Sequence, residues 1–179
     1  MKRTWLTVAA GYLLLFLVVC GILLFGRVET VEEHYFGSQE EIPEGAETVT
    51  LSIDCLALAD RLDDLSPAVR NNLPEGLVYL PATRFPYRQG MTAFDLLMKA
   101  ERPARLRIVY SGSAGNRYVS SINDLAEFSA GADSGWLIFV NGVFIDRSSS
   151  AVRLSPGDTV EWRYTASYGD ALPPELIFD

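Results

Sequence analysis

The chain has 179 residues, which is enough for one domain and an appendage. Its formal net charge of -8 argues against a general nucleic-acid binder, so no nucleic-acid partner is expected. Of its two cysteines, Cys20 lies in an apolar segment and Cys55 is alone in the remainder, so the fold must be held by its core rather than by disulfides.

An uncharged apolar segment stands near the start of the chain. It runs from Trp5 to Gly26 as "WLTVAAGYLLLFLVVCGILLFG", and as a helix it would measure about 33 Å, enough to cross a ~30 Å hydrocarbon core. A cleaved signal peptide has a shorter apolar region and small residues before the cut. Lipidation at Cys20 is disfavoured by Val19, where such signals have a small residue. We therefore predict an uncleaved transmembrane anchor at residues 5–26.

The charges that flank this segment predict its orientation. Lys2 and Arg3 precede the span, and only Arg27 follows before an acidic stretch. The positive-inside bias then places residues 1–4 in the cytoplasm and the rest of the chain outside. The sequence thus predicts a single-pass protein of the cell membrane with an extracytoplasmic C-terminal domain.

Residues 27–46 are predicted to be an acidic spacer. They are rich in glutamate, and no Lys or Arg occurs between Val28 and Asp60, which is typical of a solvated, self-repelling segment. The only histidine of the chain, His34, lies here beside Glu32 and Glu33 and is a poor metal site. We expect the domain proper at residues 47–166 and a C-terminal tail at 167–179.

The first half of the domain combines strand and helix patterns. "TVTLSIDC" alternates strictly and predicts a half-buried strand whose inward residues end at Cys55. Leu58, Leu62 and Leu65 then recur at helical spacing, and Pro67 breaks that pattern. "LVYLPATRF" returns to an extended pattern.

The segment "GMTAFDLLMKAERP" predicts the most secure helix of the domain. Thr92 is a typical N-cap with Asp95 in the first turn, and Pro103 lies just beyond the expected end. Phe94, Leu97 and Met98 share one face, as in an amphipathic helix that packs on a core.

Short strands follow this helix. The apolar segments are "LRIVY", "YVSSI", "WLIFV", "VFI" and "DTVEWRYT". Asn141 and Gly142 separate two of them and both tolerate the positive φ of a two-residue hairpin turn, and Asp158 is expected at the tip of another turn. Both faces of "WLIFV" are apolar, which indicates a strand covered on each side.

These motifs occur in the order of a β-grasp domain. "GMTAFDLL", "VNG" and "LSPGDTVEW" resemble segments of the small ubiquitin-like sulfur carriers, but this sequence ends "PPELIFD" where those proteins carry a reactive Gly-Gly. A closer match covers residues 47 to 165. "TVTLSIDC", "GMTAFDLL", "YVSSINDLAEF", "SGWLIFVNG" and "GDTVEWRYT" together resemble a bacterial domain family of unknown function related to the C-terminal β-domain of transcobalamin and intrinsic factor.

The resemblance implies an α+β fold and a ligand. The fold would be a β-grasp (ubiquitin-like) domain with one main helix packed on a mixed sheet, here preceded by a single N-terminal transmembrane helix. In the animal carriers this domain closes over one face of the corrin ring of cobalamin. No cofactor is otherwise expected. By this resemblance the candidate ligand-binding residues are Tyr118, Ser121, Ile122, Asn123 and Trp136.

The two tryptophans of the domain could fill the core instead of contacting a ligand. Trp136 either stacks on a flat ligand or fills the core, because Ile138 and Val140 share its face, and Trp162 favours the core in the same way. The domain contains no histidine, so no Ser-His-Asp or Cys-His arrangement can form within it. We therefore do not expect an enzyme, nor a metal site.

Two functions remain open from the sequence. The first is a membrane-anchored binder of a corrinoid or similar small ligand, which hands it to an uptake system and gains affinity from a second protein subunit or a transporter. The second is a non-enzymatic interaction or structural module at the cell surface that docks another protein through a strand edge or a basic face. That basic face is predicted from the cluster Arg84, Arg88, Lys99, Arg102, Arg105, Arg107 and Arg117.

Overall fold

A computed structural model describes residues 42–167. Three predicted segments lie wholly or partly outside this range: the anchor at 5–26, residues 27–41 of the spacer predicted at 27–46, and residues 168–179 of the predicted tail. No helix within residues 42–167 has the length and apolar character needed to span a bilayer.

The described residues form a mixed α+β fold that is mostly sheet. The strands are β1 (Thr48–Asp54), β2 (Val78–Pro86), β3 (Ile108–Ser111), β4 (Tyr118–Ile122), β5 (Leu125–Ala126), β6 (Gly135–Val140), β7 (Val143–Phe144) and β8 (Thr159–Thr165). The α-helices are α1 (Pro67–Arg70) and α2 (Ala93–Glu101). One sheet has the order β2-β1-β8-β6-β7 and the other has the order β3-β4-β5.

The larger sheet is built around β1. The predicted alternation is confirmed, because Val49, Leu51 and Ile53 are buried while the residues between them are half-exposed. β1 pairs with β2 in an antiparallel ladder and with β8 in a parallel one, where Leu51 lies opposite Val160 and Ile53 opposite Trp162. One face of this mixed sheet therefore supplies a continuous apolar layer to the core.

Helix α2 covers that layer. Its predicted cap at Thr92 is confirmed as a capping box, in which the Asp95 N–H donates to Thr92 Oγ1 over 3.1 Å and the Thr92 N–H donates to Asp95 Oδ2 over 2.9 Å. Phe94, Leu96 and Leu97 are buried in the main core together with the inward residues of β1. The helix begins where the cap satisfies its first N–H groups and packs by its apolar face.

The helical spacing of Leu58, Leu62 and Leu65 does not produce an α-helix. Two single 3-10 turns occur instead, at Leu56–Leu58 and Leu62–Asp64. Pro67 then starts α1 rather than ending a helix, because proline suits the first helical position, where its missing N–H has no partner to lose. Leu58 and Leu65 are still buried, in a second core cluster with Cys55.

The β6–β7 hairpin turn at Asn141-Gly142 is confirmed, with φ of +53° and +77°. The Asn141 amide also fastens the hairpin to the turn before β8, since Nδ2 donates to Asp158 Oδ1 over 2.8 Å. Strand β6 is covered on both faces as predicted. Its Phe139 is fully buried on the outer face under the Arg163 guanidinium, which lies 4.4 Å from the ring centroid.

Candidate functional site

A cavity of about 390 Å³ lies beside β6. Its walls come from β4, β6, β7 and β8, from the segment between β5 and β6, and from the segment after β7. Aromatic side chains contribute much of the lining, namely Tyr118, Phe128, Trp136, Phe144 and Trp162. Small-molecule sites are concave, largely apolar and carry a few polar groups, so this cavity is the candidate ligand site of the described residues.

The structure brings together two of the five residues predicted for the ligand face. Tyr118 and Trp136 both line the cavity, whereas Ser121, Ile122 and Asn123 do not. Ile122 is fully buried in the main core, and the hydroxyl of buried Ser121 donates to Asn123 O over 2.9 Å. The Asn123 side chain accepts from the Arg107 N–H over 2.8 Å and so stabilises the turn after β4.

Trp136 is both a core residue and a wall of the cavity. Its half-buried indole packs against both core clusters and meets the Tyr164 ring edge-on at 5.3 Å between centroids. Its Nε1–H donates to Leu125 O over 2.9 Å. The indole is therefore held in one orientation, and its hydrogen-bond donor is already used.

Tyr118 stands at the surface of the cavity with 55% of its area exposed. Its hydroxyl donates to Glu127 Oε2. This hydrogen bond, with smaller effects from partial burial and the Glu127 charge, raises the pKa of Tyr118 to about 12. The phenol stays protonated at neutral pH and its ring is fixed by the carboxylate.

Phe128 is a cavity residue that the sequence analysis missed. It is 64% exposed and has φ of +64°, a left-handed conformation that is costly for a bulky side chain. A backbone hydrogen bond stabilises this conformation, since the Phe128 N–H donates to Ser134 O over 2.9 Å. The one feature of the sequence that could have indicated this role is an aromatic residue among the mostly small or polar residues of "EFSAGADSG".

The charged lining is net negative. Three carboxylates, Glu127, Asp133 and Asp146, face two guanidinium groups, Arg117 and Arg147. The Arg117 guanidinium lies 4.8 Å from the Phe94 ring centroid and 5.1 Å from that of Tyr110, and neither ring lines the cavity. These cation-π contacts hold the Arg117 guanidinium against the two rings but leave its positive charge unchanged, so the lining carries one more negative than positive group.

Trp162 contributes a buried wall. The predicted core role is confirmed, because only 4% of its area is exposed and it belongs to the main core cluster. Its Nε1 is fully buried and has no hydrogen-bond partner among residues 42–167. Among the described lining residues it is the one with a buried, unpartnered side-chain donor.

Metal ligands and thiols are the other chemical groups of interest in the described residues. Residues 42–167 contain no group of three or more His, Cys, Asp or Glu side chains placed to hold a metal ion. Cys55 is a buried thiol 3.4 Å from Leu77 O and does not line the cavity. The lining of the cavity offers a ligand aromatic faces and charged groups.

Part of the chain is similar to a family model, and the chain is also similar to solved structures. Residues 90–166 match a family model described as Domain of unknown function (DUF4430). No curated protein matches the chain. Among solved structures, a "putative metal binding protein" from Ruminococcus gnavus ATCC 29149 is similar at 11% identity and a TM-score of 0.41, over 68% of this chain and 99% of that one.

Proposed function

We propose that the protein is a membrane-anchored, extracytoplasmic binding domain of β-grasp fold whose ligand occupies the cavity beside β6. The fold assignment is supported by the order β2-β1-β8-β6-β7, with parallel β1 and β8 at the centre and α2 packed on one face. The membrane location rests on the uncharged segment 5–26 and on the Lys2 and Arg3 that precede it.

The observation that carries this proposal is the joint position of Tyr118 and Trp136. Two aromatic residues distant in sequence and predicted to face a ligand line one cavity, and Phe128 extends that lining. Its volume of about 390 Å³ lies at the lower end of the ~300–1,000 Å³ typical of small-molecule sites. A glutamate-fixed phenol and an indole locked by Leu125 give a prearranged surface that loses little entropy on binding.

A corrinoid is the first ligand to test, because of the resemblance to the transcobalamin C-terminal domain. A whole corrinoid exceeds the cavity, so only one part of it would enter. If contact removes ~300 Å² of apolar surface from water, the gain at about 25 cal/mol/Å² is roughly 7–8 kcal/mol. At least ~4 kcal/mol of lost freedom opposes this, which leaves an affinity near millimolar. Tight binding would need a second protein face, from another subunit or a transporter.

The experiment is calorimetry of the detergent-solubilised full chain with cobalamin. Tyr118→Ala and Phe128→Ala remove exposed cavity residues and are expected to weaken binding at least fivefold without unfolding the domain. Val143→Ala is the matched control, because Val143 is 62% exposed and does not line the cavity. Absence of heat at millimolar cobalamin contradicts the corrinoid proposal, and equal binding by all three variants contradicts the cavity as its site.

An interaction module is the alternative, and the edge of the smaller sheet favours it. Strand β3 is at one end of the order β3-β4-β5, and its Val109 and Tyr110 are 49% and 40% exposed. An exposed edge with apolar side chains can pair with another chain. A photo-crosslinking residue at Val109 should then capture one partner in native membranes, while the same residue at Leu56, which is also exposed, should not.

A further inference from the structure

We infer that the group that enters the cavity beside β6 is an organic cation, such as a quaternary ammonium, held against the aromatic faces of Tyr118 and Phe128. This inference rests on the proposed binding function and specifies the charge of the ligand. The two side chains that carry it line the cavity and are exposed to solvent, so a ligand can reach them.

Two aromatic rings are open at the cavity. Tyr118 is 55% exposed and Phe128 is 64% exposed. Within residues 42–167, neither ring lies against another aromatic ring or a guanidinium group. The face of an aromatic ring has a negative electrostatic potential and attracts a cation. Both rings are therefore available to a positively charged group from outside the domain.

Other aromatic rings of the domain already have such a partner. The Arg117 guanidinium lies 4.8 Å from the Phe94 centroid and 5.1 Å from the Tyr110 centroid, and that of Arg163 lies 4.4 Å from the Phe139 centroid. These three rings do not line the cavity. The domain thus supplies its own cations to rings elsewhere and none to Tyr118 and Phe128.

The charges of the lining favour the same sign of ligand. Glu127 is held beside the Tyr118 ring, because the Tyr118 hydroxyl donates to its Oε2. Asp133 and Asp146 also line the cavity, and in the described part of the chain neither forms a salt bridge. With the two arginines of the lining included, negative groups exceed positive ones by one. A cation is attracted by the rings and by the carboxylates, whereas an anion meets like charges.

The cation is organic rather than a bare metal ion. Residues 42–167 contain no group of three or more His, Cys, Asp or Glu side chains placed to hold a metal. A quaternary ammonium needs no such ligands, because its charge is spread over methyl groups that pack on aromatic faces. The cavity of about 390 Å³ is open to a group of this kind.

The test uses three probes of one shape and different charge, with the full chain in a non-ionic detergent. Choline carries a trimethylammonium group, 3,3-dimethylbutan-1-ol replaces its nitrogen with carbon and is neutral, and 3,3-dimethylbutanoate is negative. Each probe has one methyl signal in proton NMR spectra. Titration of that signal gives the affinity, and an upfield shift on binding shows that the methyl groups lie over an aromatic face.

The expected result is an order of affinity set by charge. Choline should bind about fivefold to tenfold more tightly than the neutral alcohol, and the carboxylate should bind more weakly than either. The choline methyl signal should move upfield. Equal or tighter binding of the alcohol or the carboxylate overturns the inference, and so does choline binding without an upfield shift.

Variants separate the rings from the charge. Tyr118→Leu and Phe128→Leu keep an apolar side chain without an aromatic face, so choline should lose most of its advantage over the alcohol. Glu127→Gln keeps an acceptor for the Tyr118 hydroxyl and removes the charge, so it should weaken choline binding and leave alcohol binding unchanged. Asp60→Asn is the matched control, because Asp60 is exposed and does not line the cavity.

Two further outcomes have defined meanings. If choline keeps its full advantage in both leucine variants and in Glu127→Gln, the inference is wrong. A variant that circular dichroism shows to be unfolded is set aside, because the comparison of the three probes on the native chain still decides. Cobalamin binding without a preference for choline would overturn this inference and leave the proposed function standing, whereas no binding of cobalamin or of any probe would overturn both.

Discussion

Cys55 is the clearest single-residue consequence of the strand pattern. It continues the inward register of Val49, Leu51 and Ile53 and is fully buried, with Sγ 3.4 Å from Leu77 O. Burial, with a smaller effect from Asp54, raises the pKa of the thiol to about 12. Because the thiolate is the reactive form, we expect native Cys55 to resist alkylation at pH 8 and to react in denaturant. Peptide mapping distinguishes it from Cys20, and rapid native labelling would contradict its burial.

The same thiol should make stability depend on alkaline pH. The thiol ionises near pH 9.0 when exposed and near 12 when folded. As pH rises through this window the unfolded state releases its proton first, so the folded state loses stability. Well below pH 9 both states keep the proton and the thiol contributes no pH dependence. Relative to Cys55→Ala, the native chain should lose about 1 kcal/mol of unfolding free energy between pH 8 and 10. If the unfolding free energies of the two proteins change equally between pH 8 and 10, this prediction is wrong.

The residues of the candidate site were only partly predictable. Tyr118 and Trp136 were named through motif order, and the structure brings them to one cavity. Ile122 was named with them but is fully buried, because it pairs with Ile108 of β3 and joins the main core. Phe128 was missed because its exposure depends on a left-handed backbone held by Ser134, and no local pattern encodes that contact.

Among the elements, α2 depends on a cap that can be tested alone. Thr92 and Asp95 exchange hydrogen bonds between side chain and backbone. Replacement of an N-cap threonine by alanine costs about 1 kcal/mol, so Thr92→Ala should lower the urea midpoint while Thr92→Ser retains most of the stability. If alanine and serine variants unfold at the same midpoint as the native chain, the capping box contributes nothing measurable.

The elements also show where local patterns stop being informative. Strands β1 and β8 and helix α2 were predictable because one face of each is buried, so the apolar residues recur with the period of the element. The segment after β1 has leucines at helical spacing, yet forms 3-10 turns that place Leu58 and Leu65 in a separate cluster. The division into two sheets was not predictable either, because strand pairing joins distant residues whose partners no single segment reveals.

For the whole molecule, the predicted topology is the property most open to test. The uncharged segment 5–26 and the Lys2 and Arg3 before it predict that the domain faces the outside. Protease added to intact cells should remove the domain. A domain that survives on intact cells but is digested when protease is added to inverted vesicles would show the reversed orientation. An epitope at the C-terminus reports both results, and a cytoplasmic marker protein that survives confirms that the cells stayed intact.

The pairing of β1 with β8 also determines when the domain can fold. The centre of the larger sheet joins the first described strand, Thr48–Asp54, to the last, Thr159–Thr165. During synthesis β1 can pair with β2 but has no parallel neighbour until β8 emerges, so the larger sheet cannot be completed before nearly the whole domain has been synthesised. A chain whose larger sheet is completed last can pass through a translocation channel before that sheet forms. A chain that stops after Gly157 should be degraded by a protease that the intact domain resists, and a stable fragment would show that folding starts earlier.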